Sequence, residues 1–244
     1  MNVRKTLILA VLVAVSLTAQ ADDAARAAAQ KAFDAHAGKA WEPARYFAFT
    51  FAVEREGAVV AAFDHRLDRY TGEYRVSGKD KEGNDFVIRM NVNTKEGKAW
   101  LAGKPVEDTK PWLERGYGRF INDVYWLLMP VKLLDPGTHL EYAGEQEENG
   151  RKYDVVKLTF DQVGLTPGDI YWPWIDRETG SVDRWDMLLQ GMKRDDPKRV
   201  YRFSEWKTVG GIRFSTVRTS EDGKSKILLQ NIDVQREVPA GALD

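Results

Sequence analysis

From Tyr46 onward the side chains alternate with a period of two, and that rhythm most constrains what the chain can fold into. In Tyr46 to Glu54 (YFAFTFAVE), Phe47, Phe49, Phe51 and Val53 fall on one side and Ala48, Thr50 and Ala52 on the other. Successive side chains of a strand point to opposite faces, so this segment is predicted to be a strand with one aromatic face. Glu56-Gly57, Glu82-Gly83-Asn84 and Glu96-Gly97 then punctuate four further strand-like runs near 58–67, 69–77, 85–93 and 98–103. Antiparallel neighbours need only short turns, whereas parallel neighbours need a long crossover, and none is visible between these runs.

Two segments break the rhythm. Asp23 to His36 (DAARAAAQKAFDAH) is rich in Ala and free of Gly, Pro and β-branched residues, so a helix is expected, stopped by Gly38. Pro111 to Leu134 (PWLERGYGRFINDVYWLLMPVKLL) reads as one or two short helices interrupted by Pro130 and ended by Asp135-Pro136-Gly137. Strands resume near 139–146 and 152–160 around the Asn149-Gly150 hairpin signal. They continue near 169–176, 182–190, 199–207, 212–219 and 226–235. The expected class is mainly β (α+β): a large curved antiparallel sheet or incomplete β-barrel of about 11–12 strands, with an N-terminal helix and a central helical lid. No fixed-period repeat or Pro/Ser-rich linker divides the chain, so residues 22–244 are expected to form a single domain.

The first residues have the order of a cleavable secretory signal. Arg4 and Lys5 precede an uncharged apolar run, Thr6 to Leu17, and Ala19-Gln20-Ala21 supplies a small-x-small cleavage site. The apolar run is short for a membrane span, so cleavage after Ala21 and a periplasmic or secreted domain are expected; an N-terminal anchor is the alternative. The mature chain would carry 34 basic and 37 acidic residues, a balance that gives no reason to expect a nucleic-acid partner. There is no cysteine, hence no disulfide framework and no cysteine-linked lipid.

Three later segments carry a family resemblance. Tyr153 to Phe160 (YDVVKLTF) and the Asp-x-x-Thr-Gly hairpin within Tyr171 to Trp185 (YWPWIDRETGSVDRW) resemble strands of the LolA/LolB-like lipoprotein-carrier superfamily. Tyr201 to Trp206 (YRFSEW) followed by Val209 to Phe214 (VGGIRF) resembles its late strand pair. The order of signal, helix, meander, helical insertion and second meander is similar too. The resemblance implies an open β-barrel with a helical lid that binds acyl chains or other apolar ligands in the periplasm. The chain departs from the membrane-anchored branch by lacking cysteine, and no functional residue is carried over.

Motifs for catalysis are sparse. Gly-x-Ser-x-Gly and His-Glu-x-x-His are absent, and without cysteine there is no thiol nucleophile or thiolate metal site. No catalytic residue, metal or cofactor is therefore expected, and the chain is read as a non-enzyme. Three histidines remain. His36 ends the first helix, where a cation would suit the dipole. His65 sits in Asp64-His65-Arg66-Leu67-Asp68, but a strand would turn it away from both aspartates. His139 stands in a strand. Gly116-Tyr117-Gly118 lacks the third glycine and the βαβ setting of a dinucleotide fingerprint. Asp80 to Asp85 is too short for a calcium loop and reads as a hairpin turn.

The aromatic residues are the more informative set. Candidate ligand-contacting residues are Phe47, Phe49 and Phe51 on the first strand, and Trp126, Leu127 and Met129 in the insertion. Trp172, Trp174, Trp185 and Met187 in the second meander join them, as do Trp206 and Phe214 near the end. Trp172 and Trp174 alternate with Tyr171 and Ile175, so both faces of that strand are bulky: either both are covered or one lines a cavity. An acyl chain burying roughly twelve methylenes gains about 10 kcal/mol at ~0.8 each. Immobilisation takes back at least ~4 kcal/mol, leaving an affinity of tens of micromolar or weaker without polar anchoring.

The leading expectation is a soluble periplasmic binding protein, able to act as a carrier, for lipid, acyl chain or another apolar ligand, and a monomer. The alternative is a structural or protein-interaction domain of the cell envelope with a filled interior and a protein partner. Phe120 to Leu134 is expected to cover the open side of the sheet as a lid and to form one wall of an apolar pocket. Otherwise it is a permanent core helix.

Overall fold

The computed structural model describes residues 22–244. The expected signal segment, residues 1–21, lies outside them. The described chain divides into two compact units, each assembled from two separated stretches, which is why no linker marks the division in the sequence.

The larger unit comprises His36–Lys132 and Arg199–Asp244. It holds β1 (Tyr46–Arg55), β2 (Ala58–Asp68), β3 (Glu73–Lys79), β4 (Asp85–Asn91), β5 (Gly97–Leu101) and β6 (Lys104–Pro105). The smaller unit, described over 22–35 and Leu133–Lys198, holds β7 (Thr138–Glu148), β8 (Arg151–Phe160), β9 (Ile170–Asp176) and β10 (Val182–Leu188). The larger unit finishes with β11 (Arg199–Val209), β12 (Ile212–Ser220) and β13 (Ser225–Gln235). Helix α1 covers 22–36 and α2 covers Lys110–Leu128. The protein is thus mainly β, and its strands pair antiparallel as expected, with the two-residue β6 bringing the count to thirteen.

In the larger unit the strand order is β6-β5-β4-β3-β2-β1-β13-β12-β11, and this array does not close on itself. The aromatic strand β1 is central. Phe51 stands opposite Phe63 of β2 and Leu229 of β13, so the period-two pattern continues across neighbouring strands. Phe47, Phe49 and Phe51 are all buried, as alternation requires. Strand β3 starts at Glu73, four residues later than its sequence suggests. The residues between form a turn closed by the Gly72 N–H donating to the Asp68 carbonyl at 2.9 Å.

The insertion is a single 19-residue helix, α2, followed by a 3-10 turn at Met129–Val131. Pro111 is tolerated because the first-turn N–H groups have no intrahelical acceptor. Gly116 lets the helix press onto the sheet: a Cβ there would lie 2.9 Å from Ile88 Cγ2 and 3.2 Å from Met90 Sδ. The 3-10 turn resolves the excess of apolar residues over one helix face. Leu127 and Leu128 are buried on the helix, while Met129, Pro130 and Val131 are buried by a segment that winds more tightly.

In the smaller unit the order is β10-β9-β8-β7. Asn149 and Gly150 both have positive φ, at 53° and 74°, as a two-residue hairpin turn demands. Helix α1 buries Ala25, Ala28, Ala29 and Ala32, one stripe of a 3.6-residue period. The β9–β10 turn closes onto it. Gly180 has φ +74°, and a Cβ there would meet the Lys31 carbonyl at 2.7 Å and Ala35 Cβ at 2.8 Å.

Candidate functional site

The interior of the larger unit begins with the β1 aromatic row, and α2 supplies its cover. Along the first half of α2, Trp112 packs on Phe86 at 5.7 Å between ring centroids and Phe120 meets Tyr74 edge-on at 5.4 Å. Arg115 and Arg119 lay their guanidinium groups over Phe86 and Phe63, at 4.4 and 3.9 Å from the ring centres. Long basic side chains thus roof the apolar sheet with their planar faces.

Beneath them lies a polar line that local sequence did not reveal. Asp123 of α2 is fully buried, and its Oδ2 sits 3.2 Å from His65 Nε2 and 3.5 Å from Arg119 Nη1. The His65 contact is a close approach rather than an aligned hydrogen bond. Asp123 Oδ1 accepts from Asn122 Nδ2 at 2.7 Å. His65 Nδ1 pairs with the Tyr74 hydroxyl at 2.8 Å, and Phe49 stacks on the imidazole at 4.5 Å. Burial, reinforced by Asp123, holds the Tyr74 hydroxyl well above its usual pKa, so it stays protonated. His65 does face away from Asp64, which instead accepts from Thr50 Oγ1 at 2.6 Å. Its acidic partner comes from a helix 58 residues later, so only the odd placement of Asp123 beside Val124 on an apolar helix face could have hinted at it. A Tyr–His–Asp line has the parts of a proton relay, but no member is more than 1 % exposed. In this conformation it fastens α2 to β2 and β3.

The second half of the cover is held differently. Trp126 is half-buried and meets Tyr201 of β11 edge-on at 5.0 Å. Leu127, Leu128, Pro130 and Val131 face His36, Ile212 and Phe214 across a residual space of about 10 Å³. That is about the least a single water needs. His36 donates from Nδ1 to the Arg213 carbonyl at 3.0 Å. It is not the helix-end cation its position suggested: burial first, then Arg213 and Arg218, push its pKa down to about 4. A wider depression of about 590 Å³ opens over β3 to β5, but Glu73, Arg89, Glu96 and Lys98 make its wall mixed in charge and unsuited to an alkyl chain.

One charge on the inner face of the larger unit stands apart. Arg218 of β12 is 1 % exposed, between Phe203 of β11 and Ile227 of β13 in register. Its Cζ lies 4.4 Å from the centre of the Phe203 ring. Nε and Nη1 have no hydrogen-bond partner among the described residues. Trp206 is half-buried under the Arg213 guanidinium at 4.1 Å, and Phe214 is buried. Of the candidate residues, Phe47, Phe49, Phe51, Trp126, Leu127, Met129, Trp206 and Phe214 belong to this unit.

The remaining candidates are in the smaller unit, on opposite faces of its sheet. Trp174 lies opposite Arg184 and Trp172 opposite Asp186, while Trp185 pairs with Pro173 and Met187 with Tyr171. Trp185 and Met187 are buried. Trp172 and Trp174 instead sit beneath cations, with Lys198 Nζ at 3.6 Å and Arg184 Cζ at 4.1 Å from their ring centres. The doubly bulky strand is explained by a packed face and a cation-covered face. Among the described residues no group of three His, Asp or Glu is arranged to hold a metal, and no helix is long and apolar enough to cross a membrane.

No family model matches the sequence, and no curated protein matches it. Solved structures do. A LolA superfamily protein from Nitrosomonas europaea superposes with a TM-score of 0.53 at 10 % identity, over 90 % of this chain and 97 % of that one. A DUF1329 family protein from Desulfovibrio piger gives 0.51 at 13 % identity, again over 90 % and 97 %. Identities this low speak for architecture alone, and the architecture is the one the sequence resemblance implied: the chain has a LolA-like fold.

Proposed function

We propose that the protein is a periplasmic binding protein for a lipid, an acyl chain or another apolar ligand, received by the larger unit beneath the end of α2 and able to be carried there. The observation that carries this reading is the seam between Leu127, Leu128, Pro130 and Val131 and the β12 residues Ile212 and Phe214. It is lined mostly by hydrocarbon, with His36 and Arg213 at its border, and retains about 10 Å³ of space. Ligand pockets span about 300–1,000 Å³, so an acyl chain enters only when the end of the cover shifts. Apolar contacts are non-directional, so those of Leu127, Leu128, Pro130 and Val131 can re-form against an alkyl chain. The LolA-like fold agrees with a carrier of hydrophobic cargo, and the apolar run before Ala21 agrees with export.

The small size of the space favours a second reading, in which the interior is a filled core and the domain serves structure or protein interaction. Native mass spectrometry of freshly purified protein, with titration of a fluorescent fatty-acid probe, separates the two. A co-purifying apolar ligand or saturable probe binding supports the carrier. Bare protein that binds no probe supports the filled core.

A further inference from the structure

We propose that Arg218 is the anchor for the anionic headgroup, carboxylate or phosphate, of the ligand. The proposal rests on the apolar-ligand reading above and sharpens it from any apolar molecule to an anionic amphiphile.

Several buried or half-buried charges of the chain have a partner of opposite sign or a polar neighbour. Asp68 is held by Arg45 at 2.7 Å, Asp123 by His65 and Arg119, and Asp186 by Arg184 at 2.6 Å. Arg218 is more buried than Arg45, Arg119 or Arg184 and faces no carboxylate. Desolvation is the one influence on its pKa and brings it down only to about 9, so at neutral pH the guanidinium is charged. A desolvated ion without a counter-ion costs several kcal/mol. The Phe203 face returns part of that through its cation–π contact. The surroundings add no negative charge: the charged groups acting on His36 are Arg213 and Arg218, both cations. The chain is not short of acids, with 37 of them against 36 bases.

The position suits an amphiphile. Arg218 stands opposite Ile227 on β13, and Ile227 stands opposite Val53 on β1. Two strand spacings, about 10 Å, therefore separate the Arg218 backbone from Val53, and the row of Phe51, Phe49 and Phe47 begins two residues further along β1. A headgroup at Arg218 places an alkyl tail across that row. Tyr201, two residues before Phe203, is where Trp126 rests, so the same half of α2 that closes the seam also roofs the anchor. A guanidinium offers parallel N–H donors to either a carboxylate or a phosphate, so the shared chemistry is an oxyanion on an apolar tail.

The test is calorimetric titration of the signal-free full chain with dodecanoate, dodecyl phosphate, dodecanol, acetate and inorganic phosphate, below their aggregation concentrations. A charge-assisted hydrogen bond is worth roughly 10- to 100-fold in affinity. The wild type should bind one of the two anionic amphiphiles at least about 10-fold more tightly than dodecanol and neither free anion measurably. Arg218→Met should lose that preference, keep its dodecanol affinity, and melt no lower than the wild type, because an unpaired buried charge has been removed. If dodecanol binds the wild type as tightly as the anionic amphiphiles, the anchor is overturned and the carrier reading stands. If acetate or inorganic phosphate binds as well as the tailed anions, the site takes a free anion and the headgroup assignment is overturned. If nothing with a tail binds, the carrier reading itself fails and the anchor with it. Should Arg218→Met not fold, its cation is structural unless Arg218→Lys folds and retains the preference for the tailed anion.

Discussion

The two halves of α2 are held to the same unit by different physics. From Lys110 to Asp123 the helix is pressed onto β4 at Gly116 and fastened at Asp123 by His65 and Arg119. From Val124 to Val131 it makes an edge-on Trp126–Tyr201 pair, and Leu127, Leu128, Pro130 and Val131 border a seam with space left in it. A close backbone approach and a fully buried carboxylate beside His65 and Arg119 tolerate little displacement, whereas apolar contacts are nearly as favourable against a new apolar neighbour. The proposed function therefore requires different roles of the two halves: the first a fixed hinge post, the second a cover that can move.

Four substitutions or conditions test that division, the largest effect first. Asp123→Ala removes one partner of a buried charge contact and should cost about 4 kcal/mol in denaturant unfolding. A loss under 1 kcal/mol would mean the first half is not fastened there. Acidification acts at the seam through His36. Its folded pKa of about 4 lies below its ordinary 6.5, so the unfolded chain binds the proton first. Its contribution is complete above about pH 6.5, declines as pH falls, and is gone below about pH 4, a total of about 3 kcal/mol. The unfolding midpoint of His36→Gln should depend less on pH than that of the wild type across that window. Gly116→Ala gains helix propensity but drives a Cβ to 2.9 Å from Ile88, so a net loss of about 1–2 kcal/mol is expected. Trp126→Ala should cost about 1 kcal/mol, far from the 3–5 kcal/mol of a truncated core tryptophan, while weakening binding of a fluorescent fatty-acid probe. A severe loss of stability with no probe binding by the wild type would make the second half a plug.

Local chemistry made the strands legible. Val182, Ile212 and Arg199 begin strands where alternation and turn residues placed them, and Asn149-Gly150 forms the turn its residue types require. Strand β6 escaped because two residues carry no period, and the start of β3 slipped because Arg69 and Tyr70 look strand-like while Gly72 shapes a turn. The site was legible only in its apolar part. Phe47, Phe49 and Phe51 were readable because burial follows their alternation. Asp123 was not, because what makes it important is a histidine 58 residues away. His36 was misread as a cation since a helix end argues for charge, yet burial beside two arginines argues more strongly against it. Arg218 was passed over because nothing in Thr216-Val217-Arg218-Thr219 distinguishes an inward arginine from an outward one.

Hydrogen exchange along α2, with and without saturating dodecanol, tests the movable cover most directly. Dodecanol is uncharged, so the result does not depend on Arg218. With the ligand, exchange at Val124 to Val131 should change several-fold while amides from Trp112 to Asp123 keep their rates. Equal changes in both halves, or none in either at saturating dodecanol, would contradict a fixed post and a movable cover.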